Sequence, residues 1–330
     1  MEKLKAGKGE LFMPYDADES RHFFKEKNKK LINKLTTVTE AVKKYIPDGT
    51  YIAVGGFGGV RISTSVLHEI LRQGKKNLGL SGHTSTHDCQ ILAAGECFDR
   101  CDIAYVIGLE ARGLSRVSRK YFESGKVKFT EWTNAALAWR YKAAAMGVSY
   151  LPCRTMLGTD TFEQSAAKEV LCPFTGTKYA AVPALSPDVA IIHVHRCDVY
   201  GNCQIDGINI SDADLAKASK HVIITAERII PNEEIRRQPW ATTIPAWCVD
   251  AVIQVPYGSF PGCMEKEYFS DEDHFALWLK KEKNPKEFKA FIKKYILDTK
   301  NFSEYLELCG GTSRMNDLRF DELLVNPNTK

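Results

Sequence analysis

At 330 residues, with 44% hydrophobic and 26% charged residues, the chain is long enough for one large α/β domain or two smaller ones and for a substantial core. A formal net charge of +4 is too small to argue for a nucleic-acid partner, no apolar run nears the roughly 20 residues that span a bilayer, and the opening Met1-Glu2-Lys3-Leu4-Lys5 lacks an apolar signal core, so a cytoplasmic protein without a membrane partner is expected. Ten cysteines stand singly with no Cys-x-x-Cys, the pattern of reduced and mostly buried thiols, and Cys197 and Cys203 lie too loosely about His193 and His195 to assign a metal site.

Residues 1–34 are rich in lysine and glutamate, with a short helix predicted around Arg21-His22-Phe23-Phe24-Lys25, and read as an N-terminal arm or added helix. Residues 35–330 read as a single α/β domain ending in helices. It opens on Thr37-Val38-Thr39-Glu40, which has capping-box spacing, after which Val38, Ala41, Val42 and Tyr45 share one helical face until Pro47. The turn Asp48-Gly49 then leads into Tyr51-Ile52-Ala53-Val54, a short apolar strand, and into Gly55-Gly56-Phe57-Gly58-Gly59. Missing β-carbons let backbone N–H groups approach a carbonyl, thioester or phosphate oxygen and permit positive φ, although a plain strand-to-helix turn uses the same residues.

Ser63 or Thr64 is placed to cap the next helix, through Val66, Leu67, Ile70 and Leu71, which Gly74 ends. The strand Leu78–Leu80 empties into the polar loop 81–87, where Ser81 and His83 are candidate ligand contacts and where capping or surface polarity is the plainer alternative. A helix at Asp88–Ala94, a strand at Ile103–Ile107 and a loop at Gly108–Gly113 follow, and then Ser115-Arg116 opens a basic helix ending near Gly125. Val127-Lys128-Phe129 leads to Glu131-Trp132-Thr133-Asn134 and a small-residue helix closed by Gly147. Glu131 stands before a helix whose dipole favours negative charge, so a solvated carboxylate and a functional one are both open. Strands are predicted at Ala180–Pro183, Val189–Val194, His221–Glu227 and Cys248–Pro256, with a helix at Asp212–Ser219 and charge-rich helices from Lys280 onward. The alternation predicts an open, mainly parallel sheet with helices on both faces and loops gathered at one edge.

The order Asp48-Gly49, two residues, three apolar residues and Gly-Gly-Phe resembles a signature of the family I coenzyme A transferases. Glu131 with the helix behind it, Asp188–His193 followed by Asp198-x-x-Gly201-Asn202, Glu233–Arg237, and Val249–Val252 leading to Pro256-Tyr257-Gly258 resemble further blocks of that family in order, over roughly residues 36–310, and most nearly its glutaconate-type A subunits. Arg61-Ile62-Ser63 stands where the broader signature has Gly-x-Pro; the arginine suits the glutaconate branch.

The resemblance implies a coenzyme A thioester as substrate and no permanently bound cofactor. The family nucleophile is a glutamate in a Ser-Glu-Asn-Gly-like motif of a B subunit. No such motif occurs here, so the chain reads as half of a hetero-oligomeric enzyme. Its chemistry needs a carboxylate that attacks the thioester, forms a mixed anhydride and is recaptured by CoA as a glutamyl thioester. In this reading Gly55, Gly56, Phe57 and Gly58 form an oxyanion loop, at roughly 3–4 kcal/mol per donor. Glu131 acts as a base or orienting group, and Arg61, Ser81, His83, Asn134, Ser115 and Arg116 bind substrate. A CoA-ester hydrolase, ring-opening or decarboxylating enzyme on the same scaffold and a non-catalytic CoA-binding protein are the alternatives.

Overall fold

The computed structural model describes residues 4–106, 108–109 and 111–325. Extended residues 4–10 run along the domain, where Gly7 and Gly9 N–H donate to Ala167 O and Ser165 O and Thr130 Oγ1 donates to Glu10 O. Helix α1 (Ala17–Glu26) is capped by the Asp16 carboxylate, which accepts from the N–H groups of Asp18 and Glu19. Lys27 then enters the domain: its buried Nζ lies 2.8 Å from Asp250 Oδ2 and donates to Lys220 O and Cys248 O. The arm is strapped down by these bonds.

Helix α2 (Val38–Tyr45) begins where the capping spacing predicts, with Thr37 Oγ1 accepting from Glu40 N–H. The chain then alternates through β1 (Tyr51–Val54), α3 (Thr64–Arg72), β2 (Leu78–Gly82), α4 (His87–Ala94), β3 (Phe98–Ile103), α5 (Arg116–Glu123), β4 (Lys128–Glu131) and α6 (Asn134–Met146). These strands pair in parallel in the order β1-β2-β3-β4. A separate antiparallel sheet follows, β5 (Tyr150–Cys153), β6 (Lys168–Leu171) and β7 (Lys178–Pro183), with the one-turn helix α7 (Asp160–Glu163) between its first two strands. The sequence foretells one strand of this annex, Ala180–Pro183 within β7, and misses β5 and β6, which are short and carry no long apolar run.

The main sheet resumes on the other side of β1 with β8 (Val189–Cys197), β9 (Cys203–Gln204), α8 (Asp212–Ala218), β10 (His221–Ile229), α9 (Asn232–Arg237), β11 (Thr242–Ile244) and β12 (Ala251–Gln254). β8 pairs in parallel with β1 and β10, and β10 with β12, while β9 and β11 add a short antiparallel extension. The parallel order β12-β10-β8-β1-β2-β3-β4 therefore reverses between β1 and β8, and in open α/β sheets ligands bind outside the carboxyl ends of the strands at such a reversal. Helices α10 (Glu272–Lys281), α11 (Pro285–Ile292), α12 (Phe302–Leu308) and α13 (Gly311–Glu322) close the chain.

The pleat separates the two cores. Ile52 and Val54 join Val66, Leu67, Ile70, Leu80, Trp278 and Phe291 on one face, while Tyr51 and Ala53 join Ala136, Leu137, Ile192, Leu215 and Ile224 on the other. At about 25 cal/mol per Å2 of apolar surface, each large side chain buried here contributes roughly 1.5–3 kcal/mol.

Two strands differ from the sequence expectation. β3 lies at Phe98–Ile103 and meets the expected strand Ile103–Ile107, whose last residue lies outside the described residues, only at its start; the strand carries Asp102 in the core, where Tyr51 Oη, Trp132 Nε1 (2.6 Å) and Arg140 Nη1 (2.5 Å) satisfy it. β12 is shorter than the apolar run Cys248–Pro256, since Ala246–Cys248 turn as a 3-10 helix before it.

Candidate active site

The glycine loop leaves β1 at the reversal point and folds back on itself. Phe57 N–H donates to Val60 O and Val60 N–H to Phe57 O, each at 3.0 Å, closing a tight turn. Gly56 has φ +83°, and a Cβ there would sit 2.3 Å from Val60 O, so only glycine makes this turn. The loop is clamped on both sides. Gly58 N–H donates to Thr84 O (3.1 Å) and Gly58 O accepts from Thr86 Oγ1, which joins it to the loop after β2; Cys263 N–H donates to Gly59 O (2.9 Å), which joins it to the segment after β12.

This clamping corrects the oxyanion expectation for Gly55, Gly56, Phe57 and Gly58. Their N–H groups are already bonded to Ile191 O (2.9 Å), Asp212 Oδ1 (2.9 Å), Val60 O and Thr84 O respectively, so these four residues offer no free donor. Arg61 is corrected as well. At φ +56° its side chain turns inward and is fully buried, with Nη2 2.8 Å from Asp212 Oδ2 and also donating to Ile208 O, and Nη1 3.3 Å from His193 O. Asp212, at the start of α8, thus fills the crevice between β1 and β8 and carries the charge that balances Arg61. Glu265 Oε2 is 3.7 Å from Arg61 Nε, and Glu265 Oε1 accepts from Ile208 N–H.

His83 and Asn134 are brought to the loop. His83 is 6% exposed, its ring centroid 5.4 Å from that of Phe57, and its Nε2 lies 2.7 Å from Asn134 O, a contact in which the imidazole must donate. Asn134 Oδ1 accepts from Thr84 Oγ1 (3.2 Å). Burial pushes the His83 imidazole below its usual pKa against the opposing bond to Asn134 O, so the ring is neutral, and its Nδ1 is an acceptor with no partner among the described residues.

The remaining candidates lie elsewhere. Ser81 is inside β2, fully buried, and its Oγ accepts from Tyr141 Oη (2.8 Å) against α6. Ser115 is the N-cap of α5; its Oγ accepts from Ser118 N–H and donates to Glu282 Oε1 (2.7 Å), while Arg116 N–H donates to Glu282 Oε2 (2.7 Å). These two residues fasten α5 to the end of α10 and do not face the loop, because a Ser-x-x-Ser start at a helix N-terminus supplies its own cap. Glu131 ends β4, three strands from β1, hence about 14 Å across the sheet at the usual strand spacing. Its N–H donates to Gln164 O, and its side chain shares no contact with the glycine loop among the described residues.

Residues 35–255 match the family model described as coenzyme A transferase. The chain belongs to the coenzyme A transferase family. It is 34% identical over 302 residues to the A subunit of glutaconate CoA-transferase from Acidaminococcus fermentans, covering 86% of this chain and 94% of that one, and the solved structure of that enzyme superposes with a TM-score of 0.81 at 32% identity, covering 86% and 95%. The A subunit of a 3-oxoadipate CoA-transferase from Pseudomonas knackmussii is 33% identical over 275 residues, 82% of this chain and 96% of its own. An uncharacterized protein of Archaeoglobus fulgidus is 45% identical over 326 residues, 98% of this chain and 73% of its own.

Within this CoA transferase chain, sequence reasoning misses a buried polar network behind the loop. His193 Nδ1 lies 2.8 Å from Thr225 Oγ1 and Nε2 2.7 Å from Glu227 Oε1; Ser63 Oγ pairs with Thr225 Oγ1 (2.8 Å), and Tyr268 Oη donates to Glu227 Oε1 (2.8 Å). Ser63 thus bonds β10 instead of capping α3 with its side chain. His193 and Thr225 are adjacent partners in the parallel register of β8 and β10, a pairing that the sequence does not show. Arg112, from the loop after β3, also escapes a reading of the sequence. Its guanidinium lies over Gly59, with Nη1 3.3 Å from where a Cβ would stand.

Proposed function

We propose that this chain is the A subunit of a heteromeric CoA-transferase that moves CoA between carboxylic acids, of which at least one is a dicarboxylate of the glutaconate or 3-oxoadipate kind, and that a B subunit supplies the carboxylate nucleophile. The observation that carries the reading is the fate of the carboxylates at the reversal point. Asp212 and Glu265, which the described residues set beside the glycine loop, both face Arg61, and Asp212 is 1% exposed with both oxygens bonded. A carboxylate held by a guanidinium and a backbone N–H is a poor nucleophile, so the attacking group comes from outside these residues. The alignment with nearly the whole of two A subunits supports the same division of labour.

In this mechanism the partner's carboxylate attacks the thioester carbon, CoA leaves as thiolate, and the thiolate attacks the enzyme-side carbonyl of the anhydride to give an enzyme thioester and the first free acid. The acceptor acid reverses the sequence. This chain contributes shape: the Phe57–Val60 turn fixes the wall, and the His83 ring, held on Asn134 O, packs beside Phe57. The test is co-purification with the partner and transfer assays on each chain alone and on the pair. Activity in the pair alone supports the reading, and thioester hydrolysis without transfer by the pair replaces it with a hydrolase.

A further inference from the structure

Arg61 is committed to Asp212, and Arg116 lies on the outer start of α5, so neither cation named from the sequence is available to hold the second carboxylate of a dicarboxylic substrate. Arg112 is differently placed. Nε and Nη2 form a fork on Glu272, at 2.7 and 2.6 Å, and the guanidinium carbon lies 4.1 Å from the centroid of Phe275, so the plane is fixed from one edge and one face. Glu272 is itself oriented by Ser270 Oγ, 2.6 Å from Oε1, at the first turn of α10. Nη1 takes neither Glu272 oxygen and points toward Gly59, and the side chain is 21% exposed. Gly59 has a negative φ that other residues adopt, so its lack of a side chain serves the close approach of Arg112 and not the turn.

We propose that Arg112 is a specificity residue that binds the distal carboxylate of the acyl group through the Nη1 edge of its guanidinium, above Gly59. The assignment rests on the transferase reading and on its dicarboxylate class. Glu272 and Phe275 hold the fork in one plane before substrate arrives, which reduces the ordering cost of binding, and a guanidinium edge beside a low-polarity ring favours an anion over water.

The test uses this chain in complex with its B-type partner and two probes, glutarate and butyrate, with affinities read by calorimetry and CoA transfer from acetyl-CoA read in parallel. The wild-type complex is expected to bind glutarate roughly 10-fold or more tighter than butyrate, and Arg112→Gln to weaken glutarate roughly 10- to 100-fold, the worth of one charge-assisted hydrogen bond, while butyrate stays within about twofold. Arg119→Gln, which breaks an exposed pair with Glu123, leaves both affinities unchanged. Unchanged glutarate binding in Arg112→Gln, or equal loss of both acids, overturns the assignment. If the glutamine variant has a lowered melting temperature, Arg112→Lys takes its place: loss confined to glutarate supports the role and no loss overturns it. Transfer without glutarate preference sinks Arg112 and leaves the transferase. Glutarate preference that depends on Arg112, without transfer to any acid, sinks the transferase and leaves Arg112.

Discussion

Asp212→Asn probes the reversal point directly. Asparagine keeps an oxygen for Gly56 N–H, now 2.9 Å from Asp212 Oδ1, but removes the charge that faces Arg61 Nη2 at 2.8 Å. Both side chains are essentially without solvent, at 0% and 1% exposure, so the guanidinium would be left in the interior with only carbonyl oxygens and the more distant Glu265. Breaking such a pair from one side costs roughly 3–5 kcal/mol, a large share of the 5–15 kcal/mol that usually separates folded from unfolded domains. Arg61→Met combined with Asp212→Asn removes the orphaned charge, and methionine at 61 meets the same positive φ as arginine. The double variant is therefore expected to be more stable than Asp212→Asn alone, a coupling that urea unfolding followed by circular dichroism and tryptophan fluorescence measures as a double-mutant cycle. An Asp212→Asn chain within about 1 kcal/mol of wild type, or a double variant equal to the sum of the singles, refutes the idea that this pair is a mutually dependent filling of the crevice.

Gly56→Ala places a Cβ 2.3 Å from Val60 O at φ +83° and should cost the assembled enzyme most of its turnover, with kinetics unchanged from wild type counting against the turn's role. Ser115→Ala removes the α5 cap and the bond to Glu282; thermal unfolding should reveal a loss of about 1–2 kcal/mol with KM for the acyl-CoA unaltered, whereas a raised KM with normal stability would return Ser115 to the substrate site. Acid should weaken the fold. Burial pushes His87 down to about 3 and His274 down to about 4, and holds His68 well below its usual value. Their folded values lie under the unfolded value of about 6.5, so this stability is present above pH 6.5 and is lost as pH falls through the folded values, at about 1.4 kcal/mol per unit for each group. Asp88, pushed up to about 6 by burial, takes its proton in the fold and offsets part of the loss between pH 6 and 4. Urea midpoints that stay flat from pH 7 to 4.5, or an acid limb that His87→Phe does not reduce, would contradict this.

Local signals are legible where bonds are local. The Thr37 cap, the apolar β1, the Gly147 stop of α6 and the polar loop after β2 all follow from residues within a few positions of one another, and the structure realises them. Long-range partnerships are not. Arg61 reads as a substrate-binding cation until residue 212 is known to stand beside it, and Ser63 looks like a helix cap until β10 presents Thr225. The polar strand β3 reads poorly for the same reason, since Asp102 belongs in a core only when Tyr51, Trp132 and Arg140 converge on it. The glycine run advertises its N–H groups, but the occupancy of three of the four depends on Ile191, Asp212 and Thr84, none of them near in sequence, and that of Phe57 N–H on Val60 across the turn. In the site itself His83 and Asn134 follow from polarity after a strand, whereas Arg112 needs the position of α10.

A nucleophile on a partner chain leaves a covalent trace that can be located. This chain is co-expressed with its B-type neighbour, the purified pair is incubated with acyl-CoA and trapped with borohydride or hydroxylamine, and the modified residue is mapped by peptide mass spectrometry. The expected result is a modified glutamate in the partner and no modified carboxylate in this chain, with no transfer by this chain alone. A hydroxamate or reduced carboxyl on Asp212, Glu265 or Glu131, or full transfer activity from the single purified chain, would contradict it.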